Sequence, residues 1–311
     1  MEIIHLSYPI KIKFTKPCVL ALGFFDGVHH GHQHLIKVAK KEAVKTNLPL
    51  MVMTFDRHPS EVYAGNNKFE YLDTVEEKAA KMTKLGVDYL VVMKFTKDFS
   101  KISGQEFVDN VIVKLNAQTV VAGFDYTYGP KEIANMSHLP GFARGRFKIV
   151  SVPEQVVNGK KISSTKVRKL ISEGKMDQVS DLLGHHHIMS GVVIHGLRNG
   201  HKLGFPTANL KWEEKKIIPK IGVYATKTKV NDKWYNSMTS VGYNVTIGEG
   251  KQIYIESHIF DFDEDIYDQP IEIKWYKYMR GEIKFKNLDE LKRQLEKDET
   301  TIKSYFKKNK S

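Results

Sequence analysis

Gly23-Phe24-Phe25-Asp26-Gly27-Val28-His29-His30-Gly31-His32 closes an apolar run, Val19 to Phe25, with glycines and then three histidines. The order reads as a strand, a tight loop and the start of a helix. His29 and His32 stand three apart, so a helix beginning near Gly31 puts both imidazoles on one face. Backbone N–H groups at a helix start favour anions, and imidazole N–H groups donate to phosphate oxygens. The stretch therefore points to phosphate chemistry, with the small Gly31 letting a nucleotide approach the backbone. Taken alone the spacing is weakly specific, because histidine pairs also cap helices and bind metals.

On either side of this stretch the first half alternates apolar runs with helical patterns. Strands are expected over Val19 to Phe25, Leu48 to Phe55, Asp88 to Phe95, Thr119 to Asp125 and Phe147 to Pro153, each apolar enough to be buried on both faces. Helices are expected over His32 to Lys45, Thr74 to Leu85 and Gln105 to Leu115, with Thr74 and Glu77 as a capping box. Alternation of strand and helix predicts a parallel sheet covered on both faces, a Rossmann-like α/β layout with ligands beyond the carboxyl ends of the strands. His29, His32, His58 and Asp125 to Gly129 all follow such ends. Ser163-Ser164-Thr165 opens a further helix; hydroxyls there are ordinary caps, but Arg168 one turn in has a fork suited to phosphate.

From Ile188 strands follow one another without helices: Gly191 to Ile194, Val223 to Val230, Trp234 to Gly242, Ile253 to Phe262 and Ile271 to Met279 predict a small antiparallel barrel. A C-terminal helix starts near Leu288, capped by Asn287 and Glu290. Leu288, Leu291, Leu295, Ile302 and Phe306 form its docking face, with Asp298 and Glu299 on its polar side. Gly184-His185-His186-His187 reads as the link between domains, since successive residues point apart and no fourth metal ligand is evident.

The 311 residues suit two domains, and 41% hydrophobic with 27% charged residues is ordinary globular composition. Forty-eight Lys and Arg against 36 Asp and Glu, formally +12, suit anionic small molecules. The charge is scattered, which disfavours a nucleic-acid surface, and Lys307, Lys308 and Lys310 read as a solvated tail. The single cysteine, Cys18, abuts an apolar strand and reads as packing; it allows no internal disulfide and fits a reducing cytoplasm. No run approaches the ~18 apolar residues of a membrane span, and no signal peptide is expected.

The longer string Gly-x-Phe-Asp-Gly-Val-His-x-Gly-His closely resembles the nucleotidyltransferase signature of the bacterial bifunctional riboflavin kinase/FAD synthetases. Thr54-Phe55-Asp56-Arg57-His58-Pro59, Gly123-Phe124-Asp125-Tyr126-Thr127-Tyr128-Gly129, Ile162-Ser163-Ser164-Thr165-Lys166-Val167-Arg168 and Gly204-Phe205-Pro206-Thr207-Ala208-Asn209 continue the resemblance in order over nearly the whole chain. It implies an FMN adenylyltransferase domain over residues 1–184 and a riboflavin kinase domain over 185–311. In the first, the resemblance makes His29, His32 and Arg168 catalytic, Gly23, Phe24, Gly31, Ser164 and Thr165 the ATP site, and Asp125, Tyr126 and Tyr128 the flavin site. In the second it makes Glu256 the catalytic base, Gly204, Thr207 and Asn209 the nucleotide site, Thr207 and Asn209 ligands of Mg²⁺, and Arg280, with Glu282 and Phe285, the flavin side.

ATP is the implied co-substrate, with riboflavin, FMN and FAD as substrates and products; a homo-oligomer is left open. Asp26 reads as a turn former of its Asp-Gly pair. The chain departs from the family where Phe24 replaces Asn, Thr127 a basic residue, His185 an arginine, Asn199 and His201 arginines, and Val245-Thr246 a Pro-Thr. Arg198 and Lys202 can restore charge but not fork geometry. These departures keep two other readings open: an adenylyltransferase whose kinase-like domain is impaired or only binds flavin, and a flavin-binding regulatory or nucleic-acid-binding protein without catalysis.

Overall fold

The computed structural model describes residues 1–63, 69–157, 160–196, 204–245 and 251–309. The chain divides into two compact units, Met1–Ser164 and Thr165–Ser311.

The first unit is built on β1 (Glu2–Leu6), β2 (Cys18–Leu22), β3 (Leu50–Phe55), β4 (Tyr89–Met93), β5 (Ala117–Gly123) and β6 (Lys148–Val152). They form one sheet in the order β1-β4-β3-β2-β5-β6, with every pairing parallel. Connecting helices are α1 (His30–Thr46), α2 (Pro59–Tyr63), α3 (Val75–Lys84), α4 (Gly104–Phe107) and α5 (Leu139–Ala143), followed by the short hairpin β7 (Val156–Val157) and β8 (Lys160–Lys161). Strands β2 and β3 are buried at every position. Alternate residues feed opposite cores: Leu20, Met51 and Val120 on one face, Val19, Val52 and Leu90 on the other.

All five expected strands form, with their ends shifted by up to three residues. β2 stops at Leu22 rather than Phe25, because the chain turns there: Phe25 has φ 54° and Gly27 φ 78°. The Thr74–Glu77 capping box is present. The helix expected over Gln105 to Leu115 is instead α4 followed by a π-helical turn, Val108–Ile112, that packs Val111 and Ile112 inward. β1 was missed; its edge position leaves most of Glu2–Leu6 outside the core, so it carries no doubly buried apolar run. Cys18 is packing, as expected: its thiol donates to the Leu115 carbonyl at 3.4 Å and burial pushes it up to about 12.

Helix α6 (Ser164–Ser172) leads through Gly174, at φ 78°, to α7 (Met176–Leu183), which Gly184 ends at φ 72°. Six strands then close a barrel: β9 (Ile188–Ile194), β10 (Ala208–Trp212), β11 (Gly222–Val230), β12 (Lys233–Val245), β13 (Lys251–Ile259) and β14 (Pro270–Arg280), in the order β10-β13-β12-β11-β14-β9. β10 is the strand that periodicity missed, being short and carrying Asn209 and Lys211.

Helix α8 (Leu288–Lys308) is capped by Asn287, whose side chain accepts from the Glu290 N–H. Its expected face holds at Ile302 and Phe306 and needs correcting at Leu288 and Asp298. Leu288 is 66% exposed, and burial is carried by Ile302, Phe306 and Asp298. Asp298 is not on the polar side: it receives Nε and Nη2 of Arg280 at 2.9 and 2.6 Å, which is what permits a carboxylate to be buried there.

Candidate active sites

β2 delivers the Gly23–His32 loop to the carboxyl edge of the sheet, where strand order reverses between β2 and β5. His29 is the N-cap of α1 and accepts the His32 N–H on Nδ1 at 3.3 Å, which leaves the ring proton on Nε2. The two imidazoles stack, centroids 3.6 Å apart and 14° between planes, and Phe25 meets His32 edge-on at 5.3 Å. A Cβ on Gly31 would press the His29 ring at 3.3 Å, so this glycine makes room for the stack. His32 Nδ1 has no partner among the described residues. Burial first, then His29 and Lys78, push the His32 imidazole well below its ordinary range against the pull of Asp73. It is therefore neutral at neutral pH and acts as an N–H donor.

The loop is fastened from several sides. Asp26 is a buried carboxylate that accepts from the N–H groups of Leu72, at 3.1 Å, and Asp73, at 3.3 Å. Ser164, at the start of α6, donates its hydroxyl to the Asp26 carbonyl at 2.9 Å. The Phe24 carbonyl accepts from both Thr54 Oγ1 and Lys78 Nζ, each at 2.8 Å. Gly23, Phe24, Gly31, His29, His32 and Ser164 are thus brought into one constellation. Thr165 is exposed and Arg168 lies one turn further along α6, in the second unit. Phe24, which stands where asparagine was expected, meets His58 edge-on at 5.0 Å, and His58 stacks on Phe69 at 4.1 Å.

Beyond β5, Tyr128 is buried and stacks on Phe107 at 5.4 Å. Burial pushes its phenol up to about 12 and that of Tyr126 higher still. Tyr128 and Thr127 line a small cavity of about 90 Å³ with Phe55, Phe95, Phe99 and Phe107. Asp125 lies exposed at its strand end. The phenylalanines were not singled out from sequence, although Phe95 and Phe99, four apart after β4, are a readable signal.

In the second unit, Thr207 and Asn209 line a pocket of about 370 Å³ with Pro206, Ser257, Phe262 and Tyr267. Asn209 faces Glu256 across β10 and β13, so both side chains leave the same face, while Ala208 and Ser257 leave the other. A Cβ on Gly196 would collide with the Asn209 carboxamide, so the glycine makes a cradle for it. His258 Nδ1 lies 2.8 Å from the Pro206 carbonyl and so carries its proton there, tying the Pro206-Thr207 turn to β13. Burial raises the Glu256 carboxyl above its ordinary value.

Gly204 takes φ 83°, open to glycine. Arg280 is engaged with Asp298 and with the Gly281 carbonyl at 2.8 Å. Among the described residues no cluster of three His, Cys, Asp or Glu is set to hold a metal. The hydroxyl of Thr207 and the carboxamide of Asn209 supply the hard oxygen donors that suit Mg²⁺. Arg198, Asn199, His201, Lys202 and Thr246 lie outside the described residues, as does the side chain of Val245.

The sequence model of the FAD synthetase family matches residues 11–166, and that of riboflavin kinase matches residues 183–306. Proteins named bifunctional riboflavin kinase/FMN adenylyltransferase are 46% identical in Listeria monocytogenes, over 99% of both chains, and 40% identical in Bacillus subtilis, over 98% of both. The one in Escherichia coli K12 is 34% identical over 98% of both. A crystal structure named a macrolide-efflux protein, from Streptococcus pneumoniae, superposes with a TM-score of 0.89 at 34% identity, covering 96% of this chain and 99% of that one. Among the described residues, no helix is long and apolar enough to cross a membrane.

Proposed function

Since the chain belongs to the bifunctional riboflavin kinase/FMN adenylyltransferase family, we propose that it makes FAD in two consecutive ATP-dependent steps, phosphorylation of riboflavin and adenylylation of the FMN formed. The observation that carries this reading is the stacked His29–His32 pair on a tightly fastened loop at the sheet's reversal point.

In adenylylation an FMN phosphate oxygen attacks the α-phosphorus of ATP, and the bond to the bridging oxygen of pyrophosphate breaks. No covalent enzyme intermediate is needed; the demands are alignment and stabilisation of charge. His29, with its proton on Nε2, and neutral His32 donate to the phosphate oxygens. Gly23, Phe24, Gly31, Ser164 and Thr165 shape the nucleotide site, and Arg168 holds the leaving pyrophosphate. Asp125, Tyr126 and Tyr128 serve the flavin, next to the small aromatic cavity that Tyr128 and Phe107 line.

In the kinase step Glu256 takes the proton of the riboflavin 5′-hydroxyl as that oxygen attacks the γ-phosphorus and ADP departs. Its raised pKa fits a base poised nearer neutrality. Gly204, Thr207 and Asn209 bind the nucleotide, and Arg280 serves the flavin side. Thr207 and Asn209 would hold Mg²⁺, which neutralises phosphate charge when bound. A boundary between residues 184 and 185 is supported by the riboflavin kinase match beginning at residue 183. A cytoplasmic location fits the ATP dependence and the buried free thiol of Cys18.

The test is a chromatographic time course with riboflavin, ATP and Mg²⁺ beside one started from FMN. FMN followed by FAD is expected from riboflavin. FAD from FMN alone would leave only the adenylyltransferase, and neither product would overturn the reading.

A further inference from the structure

Lys78 plays no part in the chemistry above, yet it is the most buried lysine of α3, 2% exposed. A buried ammonium is costly unless it is held. Here Nζ donates to the Phe24 carbonyl at 2.8 Å and to Thr54 Oγ1 at 3.2 Å, and sits 4.5 Å from the centre of the Phe24 ring. Burial pushes the ammonium below its ordinary range, the carboxylates of Asp26 and Asp73 oppose that push, and Lys81, which pairs with Asp73, adds to it. Thr54 closes the triangle by donating to the same Phe24 carbonyl at 2.8 Å.

We propose that Lys78 is a positioning residue for adenylyl transfer, holding the Gly23–His32 loop from beneath through the Phe24 carbonyl and Thr54. The loop needs such a hold because it departs from extended backbone immediately afterwards, at Phe25 and Gly27, before presenting His29 and His32. An apolar side chain of similar length fills the same space but leaves the Phe24 carbonyl with Thr54 alone. The ammonium has a second effect. His32 faces His29, Lys78 and Asp73, and the Lys78 charge helps keep its imidazole neutral. The same side chain that places the loop thus favours the donor form of its second histidine.

This inference rests on the adenylyltransferase reading, and the test separates the two. FMN-to-FAD rates are measured against pH for wild type, Lys78→Met and Lys78→Arg, with riboflavin phosphorylation by each preparation as an internal control. Lys78→Met is expected to lower kcat for FAD formation at least tenfold and to move the acid limb of its profile to higher pH, with phosphorylation of riboflavin unchanged within twofold. Lys78→Arg, which keeps the charge, is expected to return the limb to its wild-type position. A purely structural role would not move the limb and restore it in this way.

Wild-type kcat and an unmoved limb in Lys78→Met would overturn the inference. Absence of FAD formation in wild type would overturn the functional reading instead. If thermal unfolding shows that Lys78→Met has lost its first unit, Thr54→Val decides. This near-isostere removes the other donor to the Phe24 carbonyl; kcat lowered several-fold supports the inference, and an unchanged kcat overturns it.

Discussion

Around the Gly23–His32 loop lie buried charges, Lys78, Asp73 and the loop's own Asp26; behind the Asn209–Glu256 pair the barrel strands bury the neutral hydroxyls of Thr226, Thr228, Ser237, Thr239 and Ser257. The loop is aimed by side chains reaching its backbone from α3, β3 and α6. The pair is aimed by strand register, which changes only in whole residues and flips faces when it does. A charge-held site is therefore tunable by one residue and by pH, whereas a register-held site is insensitive to its neighbours and depends on its own reacting group.

The largest effect should come from that reacting group. Glu256→Gln is expected to lower riboflavin phosphorylation by about 10³-fold, within the usual yield of a general base, while FAD formation from FMN persists. Because burial raises the folded pKa of Glu256, the acid limb of kinase activity should lie above the ordinary carboxylate range. The same shift has a sign in stability: ionising Glu256 weakens the fold as pH rises through its folded pKa. Glu256→Gln should thus be the more stable protein at neutral pH, and the advantage should vanish once the carboxyl is protonated in both states. Equal stability of the two proteins across that range would remove burial as the cause.

On the other side of the comparison, His32→Ala is expected to lower FAD formation by about 10²-fold, the scale of one lost transition-state donor, with kinase activity retained. Equal loss of both activities would break the separation of the sites. The effect is smaller than that of the base because stacked His29 still donates.

What could be read from the sequence was local. His29 and His32 were pointed to by their spacing and assigned by the longer string around them, and the central strands needed only their continuous apolar runs. Lys78 was not legible because a lysine in an amphipathic helix reads as solvated; its partner is a backbone carbonyl 54 residues away, which leaves no trace in composition. Asp298 was assigned to the wrong side of α8 for a similar reason, since Arg280 of β14, distant in sequence, engages its carboxylate. Asn209 and Glu256 were found as motifs, but their shared face follows from β10, the strand that periodicity passed over.

The barrel unit also uses buried charge, in the Arg280–Asp298 pair. Both side chains are mostly enclosed, 19% and 8% exposed. Asp298→Ala should destabilise the second unit by about 3 kcal/mol, the lower end for removing one partner of a buried pair. Denaturant unfolding reads it directly, and a loss within error of zero would show that the guanidinium finds equivalent partners.

The smallest effect is expected inside the barrel. Thr226, Thr239, Ser257, Thr228 and Ser237 are fully buried and form a closed ring of hydroxyls, with successive contacts of 2.7, 3.1, 2.8, 2.9 and 2.8 Å. Each member can donate once and accept once, so the ring satisfies itself without charge. Thr239→Val keeps the shape and opens the ring, yet Thr226 retains Ser237 and Ser257 retains Thr228. No neighbour is stranded, and the loss should be about 1 kcal/mol, the net worth of an ordinary hydrogen bond. Riboflavin phosphorylation should stay within twofold of wild type, because the register that pairs Asn209 with Glu256 is set by the backbone. A kinase rate that falls with so small a loss of stability would mean that the hydroxyl ring, and not the ladder, aims Glu256.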